Sequence, residues 1–281
     1  GIYDFKNGDC LITCNDGVGS KSQLSFKYKN QERLRNLGRD VVVNNLNDAL
    51  CISKNLKPIT FIDYLSMNKI NKDFEEVVKG IVDECKKYDL ALIGGETSEM
   101  NIYKHDNNIE IVGFINCLSR KKDLFNISDV KKNNIILGIK TKNFATNGFS
   151  LVRKVLEYCD EDEIKLYIDD ILGTHKSYYD YMKKLYKNSI KINACAHITG
   201  GGIFDNLQRI IPDDLNFKII KSTIFDNLPP SMNFIKIKGN LTNEEMFSTF
   251  NCGIGFIIIV DIGSVADIFE LFGNELLEIG Y

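Results

Sequence analysis

Apolar residues in the first half of the chain follow two different spacings in turn. Between residues 74 and 85 they recur every three or four positions, the spacing of one buried face of an α-helix. Shorter apolar runs bounded by Gly, Pro, Asn or Asp are typical of strands. In chain order the patterns predict a strand at 9–15, a helix at 31–53, a strand at 59–65, a helix at 74–85, a buried strand at 89–96 that runs into two glycines, and a strand at 109–118.

The second half repeats this alternation after a charged and polar segment at 119–134. The patterns predict a strand at 135–140, helices at 149–158 and 177–188, a glycine break at 200–202 with a helix that stops at Pro212, a helix that begins with Thr242 and Glu245 at capping-box spacing, a buried strand ending at Val260, and a last helix opened by Ser264 and Asp267. We therefore expect an α/β protein of the α+β type, with two mixed α/β domains at 1–121 and 134–281.

Composition and charge narrow the class of protein. A chain of 281 residues with 44% hydrophobic and 26% charged side chains has the size and composition of a globular protein with two moderate cores. The net charge of −3 and the scattered lysines argue against nucleic-acid binding. No apolar run approaches membrane-spanning length and no secretory leader pattern is present, so we expect a soluble protein. Eight cysteines without a C-x-x-C pair predict reduced thiols and a cytoplasmic location.

The segment DGVGSK, residues 16–21, raises the first question of chemistry. It fits neither the P-loop pattern nor the dinucleotide fingerprint. It places Asp16 at the end of a predicted strand, Gly17 and Gly19 in the turn, and Lys21 just beyond. Magnesium takes one or two carboxylates plus phosphate oxygens, and lysine is a mobile charge for phosphate. The segment therefore suits a magnesium nucleotide, with a solvated turn as the alternative.

Four other places repeat this combination of polar side chains and turns. Asp48 ends the run NNLND, and Glu96 follows the predicted strand at 89–96. The segments 145–150 and 197–202 open helices through glycines, and such turns expose backbone N–H groups to anions. Taken singly, Asp48 can be a helix cap and His197 a core histidine. Jointly the five places favour a ligand with several phosphates and a metal ion.

At these residues the sequence resembles the phosphoribosylformylglycinamidine cyclo-ligase family, also called aminoimidazole ribonucleotide synthetases. The likeness covers nearly the whole chain and is carried by DGVGSK, NNLNDAL, FIDYLSMNKI, LIGGETSEM, NGFSLVRKVLE, HITGGGIFDNLQRIIPD and TFNCGIGFIII. The combination of GGET-x-EM with TFN-x-G-x-G separates this family from relatives such as selenophosphate synthetase and thiamine-monophosphate kinase.

The resemblance implies a homodimer of two-domain chains that closes an imidazole ring in purine synthesis. The substrate would be formylglycinamidine ribonucleotide, with ATP converted to ADP and phosphate. We expect the dimer to form through strands of residues 1–120, because an isolated sheet would leave apolar edges such as 109–118 exposed. By motif match, Mg²⁺ would be held by Asp16, Asp48 and Glu96, and catalysis would involve His197 and Lys21. The residues that would bind nucleotide, phosphate or substrate are Asp16, Gly17, Gly19, Lys21, Asp40, Asn147, Gly148, Thr199, Gly200, Gly201 and Gly202.

The sequence departs from the family at several positions. Thr174, His175 and Lys176 replace a Pro-Thr-Arg pattern, and Ala145 stands where a histidine is common. The family's chains also carry a glycine-rich segment with a lysine ahead of the first motif, which would lie upstream of Gly1. Two hypotheses therefore remain beside each other, an active ATP-dependent cyclo-ligase and a non-catalytic nucleotide-binding scaffold of the same fold. A different enzyme of the superfamily ranks third, since it would leave TFNCGIG and GGETSEM unexplained.

Overall fold

The computed structural model describes residues 1–100 and 109–281, which form two α/β halves joined by two short 3₁₀ turns. The first half contains β1 (Ile2–Asp4), β2 (Asp9–Gly17), α1 (Lys21–Lys27), α2 (Gln31–Leu50), β3 (Lys57–Met67), α3 (Lys72–Lys87), β4 (Ala91–Glu99) and β5 (Ile109–Arg120). The second half contains β6 (Ile135–Lys140), α4 (Phe149–Leu156), α5 (Glu161–Ile171), α6 (Tyr179–Lys187), β7 (Ile192–His197), α7 (Gly202–Gln208), α8 (Lys221–Phe225), α9 (Pro230–Lys238), α10 (Asn243–Thr249), β8 (Ile254–Val260), α11 (Val265–Phe272) and β9 (Leu276–Gly280). The two-domain α/β fold predicted from the sequence is confirmed.

The first half is a five-stranded sheet in the order β1-β2-β5-β3-β4, with α2 and α3 packed together. Only β3 and β4 pair in parallel within the described residues. The two helices approach closely because each carries a glycine at the crossing. A Cβ atom on Gly38 would lie 2.0 Å from the carbonyl oxygen of Val77, and one on Gly80 would lie 2.0 Å from that of Arg35. Any side chain at these glycines would push the helices apart.

Two expectations about the first sheet are wrong. Strand β4 is exposed along nearly its whole length, and within residues 1–100 and 109–281 it is an edge strand that pairs with β3 alone. Strand β5 is a central strand between β2 and β3, so it does not present an apolar edge. Its residues alternate instead, with Ile115 buried and Phe114 and Leu118 more than one-third exposed on the outward face. Part of the exposed apolar surface of this half is therefore a face of the sheet.

The second half is a four-stranded antiparallel sheet in the order β7-β8-β6-β9. All seven residues of β8 are buried because the sheet is covered on both faces. Phe256 and Ile258 join a core that also contains residues of α2, whereas Ile257 and Ile259 join a second core with the helices of this half. The alternation of side chains along one strand thus assigns its residues to two cores.

Helix α2 belongs to the cores of both halves. It packs against β2 and β5 and also against β7 and α6, and fourteen of its twenty residues are buried. Apolar residues recur at mixed spacings here because the helix is buried around most of its circumference and not on one face alone. Two of its buried asparagines bond to the second half. Asn36 accepts a hydrogen bond from Thr174 Oγ1 at 2.6 Å, and Asn47 accepts one from the backbone N–H of Tyr178 at 3.0 Å.

Two expectations about helix starts are confirmed. The capping box of Thr242 and Glu245 is present at the start of α10. The last helix begins at Val265, although the Ser264 side chain does not cap it. All eight cysteines are free thiols. Within the described residues, no helix has the length and apolar composition needed to cross a bilayer.

Candidate active site

Asp16 stands at the carboxyl end of β2 with its side chain toward α2. Its Oδ1 accepts a hydrogen bond from the Gly17 N–H at 2.7 Å, and its Oδ2 accepts one from Asn44 Nδ2 at 2.9 Å. Asn45 Nδ2 donates to the Asp16 carbonyl at 3.1 Å. The residue remains exposed. Two asparagines of a buried helix therefore orient a carboxylate that still faces solvent.

Three glycine turns that are far apart in the sequence meet beside Asp16. Thr146 Oγ1 lies 3.4 Å from Asn44 Oδ1, and Asn147 Nδ2 donates to Thr146 Oγ1 at 3.4 Å. A Cβ atom on Gly19 would lie 3.9 Å from the Thr146 carbonyl oxygen, and one on Gly200 would lie 3.8 Å from Asn147 Oδ1. The turns at 16–20, 145–148 and 199–202 thus form one surface at the junction of the two halves. The sequence predicted these turns as parts of one site.

Helices α4 and α7 begin in this surface without a side-chain cap. Each follows a glycine with a positive φ angle, 76° at Gly148 and 89° at Gly201. A Cβ atom on Gly148 would lie 2.3 Å from the ring of Phe250, and one on Gly202 would lie 2.0 Å from the Phe247 carbonyl oxygen. The backbone therefore requires glycine at these positions. Uncapped N–H groups at a helix start favour an anion.

Lys21 and Asp40 occupy a different place from the one predicted. Lys21 Nζ lies 2.7 Å from Asp40 Oδ2, and both side chains are fully buried. The ammonium also donates to the Gly173 carbonyl at 2.7 Å, and Asp40 Oδ1 accepts the backbone N–H of His175 at 2.7 Å. Burial raises the pKa of Asp40, an effect that Lys21 and this N–H oppose. In this conformation the pair joins the two halves and does not offer a mobile charge to phosphate.

Asp48 and His197 form a hydrogen-bonded pair across the same junction. His197 Nδ1 lies 2.7 Å from Asp48 Oδ1, and the His197 side chain is only 2% exposed against 32% for Asp48. The other ring nitrogen of His197, Nε2, lies 3.0 Å from Nε2 of His175. Both nitrogens of His197 are therefore engaged, so the exposed group of the pair is the Asp48 carboxylate. The prediction that His197 itself carries protons to a ligand does not fit this geometry.

The three acids predicted to bind metal do not come together. Gly113 of the central strand β5 is paired with Asp16 of β2 on one side and with Asp63 of β3 on the other, so the two acids share one face of the sheet. Glu96 pairs with Tyr64, one residue further, so it points to the opposite face and is exposed on the edge strand. Among residues 1–100 and 109–281, no group of three or more His, Cys, Asp or Glu side chains could hold a metal ion.

Three residues of the site were missed from the sequence. Asn44 was hidden in the polar run NNLND, although its four-residue spacing to Asp40 and Asp48 places all three on one helix stripe. Asp63 is a lone acid in the apolar strand ITFIDYL, which is a usable signal. Asp63 is half-buried and, like Asp16, is paired with Gly113. Burial raises the pKa of Asp63 to about 6. His175 appeared only as a departure from the family pattern.

Comparison with known proteins places this chain in one class of proteins. Residues 1–117 match the model of the N-terminal domain of AIR synthase related proteins, and residues 131–281 match that of the C-terminal domain. The ThiL structure described as AaThiL complexed with AMPPCP and TMP has a TM-score of 0.67 at 16% identity, over 99% of this chain and 82% of that one. T. maritima PurL complexed with FGAR has a TM-score of 0.66 at 11% identity, over 100% and 43%. At these identities the likeness shows the fold alone.

Curated relatives narrow the class further. A phosphoribosylformylglycinamidine cyclo-ligase of Alkaliphilus metalliredigens is 33% identical, over 96% of this chain and 79% of the relative. One from Fusobacterium nucleatum is 34% identical, over 100% and 83%. This chain belongs to the phosphoribosylformylglycinamidine cyclo-ligase family, and the resemblance drawn from its motifs is confirmed.

Proposed function

We propose that the chain catalyses ATP-dependent ring closure of formylglycinamidine ribonucleotide to aminoimidazole ribonucleotide in purine biosynthesis. An amide oxygen is a poor leaving group, so the γ-phosphoryl group of ATP is first transferred to it. The internal amine then attacks the amide carbon, the ring closes, and the oxygen leaves as part of inorganic phosphate. Positioning and charge neutralisation supply most of the rate in such transfers. The enzyme is thus a ligase that releases ADP and phosphate.

The observation that carries this proposal is the match to relatives named for the reaction over nearly the entire chain. Other proteins of this fold bind ligands of the same kinds as the proposed reaction requires. ThiL and PurL bind the ATP analogue AMPPCP, and PurL also binds FGAR. No observation on the described residues favours the non-catalytic alternative, since the three turns meet with an exposed, oriented carboxylate between them.

For the ligands, we assign the polyphosphate of ATP to the turn at 16–20 and to the start of α4 at Asn147 and Gly148. Asn147 offers an amide and α4 offers uncapped N–H groups, so both suit phosphate oxygens. The Thr199–Gly202 turn faces the same surface from the second half and would hold the ribonucleotide phosphate. Asp48 lies one helical turn beyond Asn44 and would present its carboxylate to both ligands.

Magnesium fits Asp16 on the inner face of the first sheet. Asp16 and Asp63 flank Gly113 in one row, about 10 Å apart at Cα from the spacing of two strands. The Asp63 carboxylate leans away from Asp16 over Gly95 of β4, and the ring of Phe61 lies over Gly113 between the two acids. Together with phosphate oxygens, the exposed Asp16 carboxylate would therefore be the protein ligand of the ion. The bound ion would neutralise charge on the transferred phosphoryl group.

A homodimer through the first sheet also forms part of the proposal. The outward face and edge of this sheet expose a set of large apolar side chains: Leu92, Ile93, Phe114 and Leu118. Exposed apolar faces of this kind mark interfaces in soluble proteins. A C₂ axis would bury the same patch on both copies.

The direct test of the proposed activity is ADP release by the purified chain, with and without formylglycinamidine ribonucleotide. We expect release to depend on the substrate, and to fall by at least about a hundredfold in Asp48→Asn, which removes the charge presented to the ligands. ADP release at the same rate without substrate would contradict the proposal. So would release that Asp48→Asn leaves unchanged.

A further inference from the structure

A chain of three side chains crosses the junction of the two halves. Asp48 Oδ1 lies 2.7 Å from His197 Nδ1, and His197 Nε2 lies 3.0 Å from His175 Nε2. Asp48 comes from α2, His197 ends β7, and His175 lies in the segment between α5 and α6. Only Asp48 is substantially exposed; His175 and His197 are 3% and 5% exposed.

The positions of the protons follow from these contacts. An ionised Asp48 only accepts, so His197 Nδ1 carries a proton and donates to it. Two ring nitrogens 3.0 Å apart form a hydrogen bond only when one carries a proton and the other offers its lone pair. With a neutral His197, the lone pair is on His197 Nε2. His175 must then carry its proton on Nε2 and leave Nδ1 bare.

The surroundings of His175 keep it neutral and fixed. Its backbone N–H donates to Asp40 Oδ1 at 2.7 Å, and Asp40 pairs with the buried Lys21. The pKa of His175 lies well below its ordinary value because the ring is buried, with His197 and Lys21 adding to the effect. Its Nδ1 atom is buried without a hydrogen-bond partner among the described residues, which fits a nitrogen that carries no proton.

We infer that His175 is a positioning residue of this enzyme: its Nε2–H donates to His197 Nε2, holds the His197 ring with its Nδ1–H toward Asp48, and thereby orients the Asp48 carboxylate toward the ligands. The effect on turnover rests on the proposed function, whereas the hydrogen bond between the two rings does not. The resemblance implies a threonine at this position, so His175 is a departure from the family pattern.

The test compares two substitutions of similar size. In His175→Gln the side-chain amide keeps a donor near the position of Nε2, whereas His175→Leu fills the space without one. Nitrogen-15 NMR of the His197 ring in the ligand-free protein should show Nδ1 protonated and Nε2 bare in the parent and in His175→Gln. In His175→Leu, Nδ1 should stay protonated, and the Nε2 resonance should move to the position of a lone pair that accepts no hydrogen bond. These spectra do not depend on any activity.

Kinetics supply the second readout. We expect kcat for substrate-dependent ADP release to fall on the order of tenfold to a hundredfold in His175→Leu, with KM for ATP unchanged, and to stay within about threefold in His175→Gln. A His197 spectrum and kcat in folded His175→Leu equal to those of the parent would overturn the inference. A parent spectrum with the proton on His197 Nε2 would also overturn it, even if His175→Leu does not fold. A parent that shows the expected spectrum but no turnover would contradict the proposed function and leave the His175 assignment supported.

Discussion

The Nζ atom of Lys21 lies 2.7 Å from Oδ2 of Asp40, and neither side chain has any exposed surface. The pair links the turn after β2 to α2, and through the Gly173 carbonyl it also links the first half to the second. A buried pair gives weak evidence for net stabilisation, but removing one partner leaves an uncompensated buried charge. This distinction gives a sharp stability test.

We predict that Lys21→Met lowers the free energy of unfolding by about 3–5 kcal/mol. The double variant Lys21→Met with Asp40→Asn should recover most of this loss, because Asn is neutral and still accepts the His175 N–H. The matched control is Lys29→Met, whose partner Asp73 is only partly buried, and about 1 kcal/mol or less is expected there. Urea unfolding measures all three. Equal losses in the two single variants would show that burial of the Lys21 pair has no special cost.

Asp63 provides a prediction for pH. Burial raises its pKa in the folded protein from 3.8 to about 6, so between these values the folded state binds more protons than the unfolded state. The contribution of Asp63 to the free energy of unfolding therefore decreases as the pH rises from about 4 to about 6. In Asp63→Asn the falling part should vanish, since Asn resembles the protonated acid. Without nucleotide, the variant should match the parent near pH 4 and exceed it above pH 6. Parallel stability curves for the two proteins would contradict the assignment.

A third prediction concerns the outward face of the first sheet. Phe114 is 39% exposed at the centre of that face, so a charge there would be buried in the proposed dimer. Phe114→Glu should convert the dimer into a monomer at micromolar concentration, as measured by analytical ultracentrifugation. Tyr158→Glu is the control, because Tyr158 is 88% exposed on the other half and should leave the dimer intact. A monomeric parent, or a dimer that survives Phe114→Glu, would place the interface elsewhere.

A fourth prediction isolates the role of Asp16 in metal-dependent nucleotide binding. Calorimetric titration of ATP should show tighter binding with Mg²⁺ than without it, and Asp16→Asn should abolish most of that gain because one full negative charge is removed. Asp9→Asn is the control, since Asp9 is an exposed acid at the opposite end of the same strand. If both variants keep the magnesium effect of the parent, Asp16 serves only as a turn residue.

Much of the fold follows from local patterns. The periodicity at 74–85 and the capping box at Thr242 specify their helices without tertiary information, and the structure has both. The burial of β4 was predicted wrongly because an apolar strand at the edge of a sheet has the same residue types as one in the interior. Strand β9 and the helices α5 and α9 were missed. The apolar run of α9 has weak periodicity, whereas α5 carries Ile164, Ile168 and Ile171 at helical spacing, so its signal is present in the sequence.

The site could be predicted only in part, for a related reason. Glycine turns that open helices are visible in the sequence, and the turns around Gly19, Asn147 and Gly200 do meet. The partners of charged residues are not visible, because they depend on how the halves pack. Lys21 was expected at phosphate and is buried against Asp40. His197 was expected to take part in catalysis, and both of its ring nitrogens are engaged by Asp48 and His175.

The most direct measurement follows the oxygen atom that ring closure must remove. When formylglycinamidine ribonucleotide labelled with oxygen-18 at the amide position is turned over with unlabelled ATP, mass spectrometry should find one labelled oxygen in each inorganic phosphate released. The label should appear in step with aminoimidazole ribonucleotide and ADP. Unlabelled phosphate accompanying ADP release would mean that the chain hydrolyses ATP without activating the amide, which would contradict the proposed reaction.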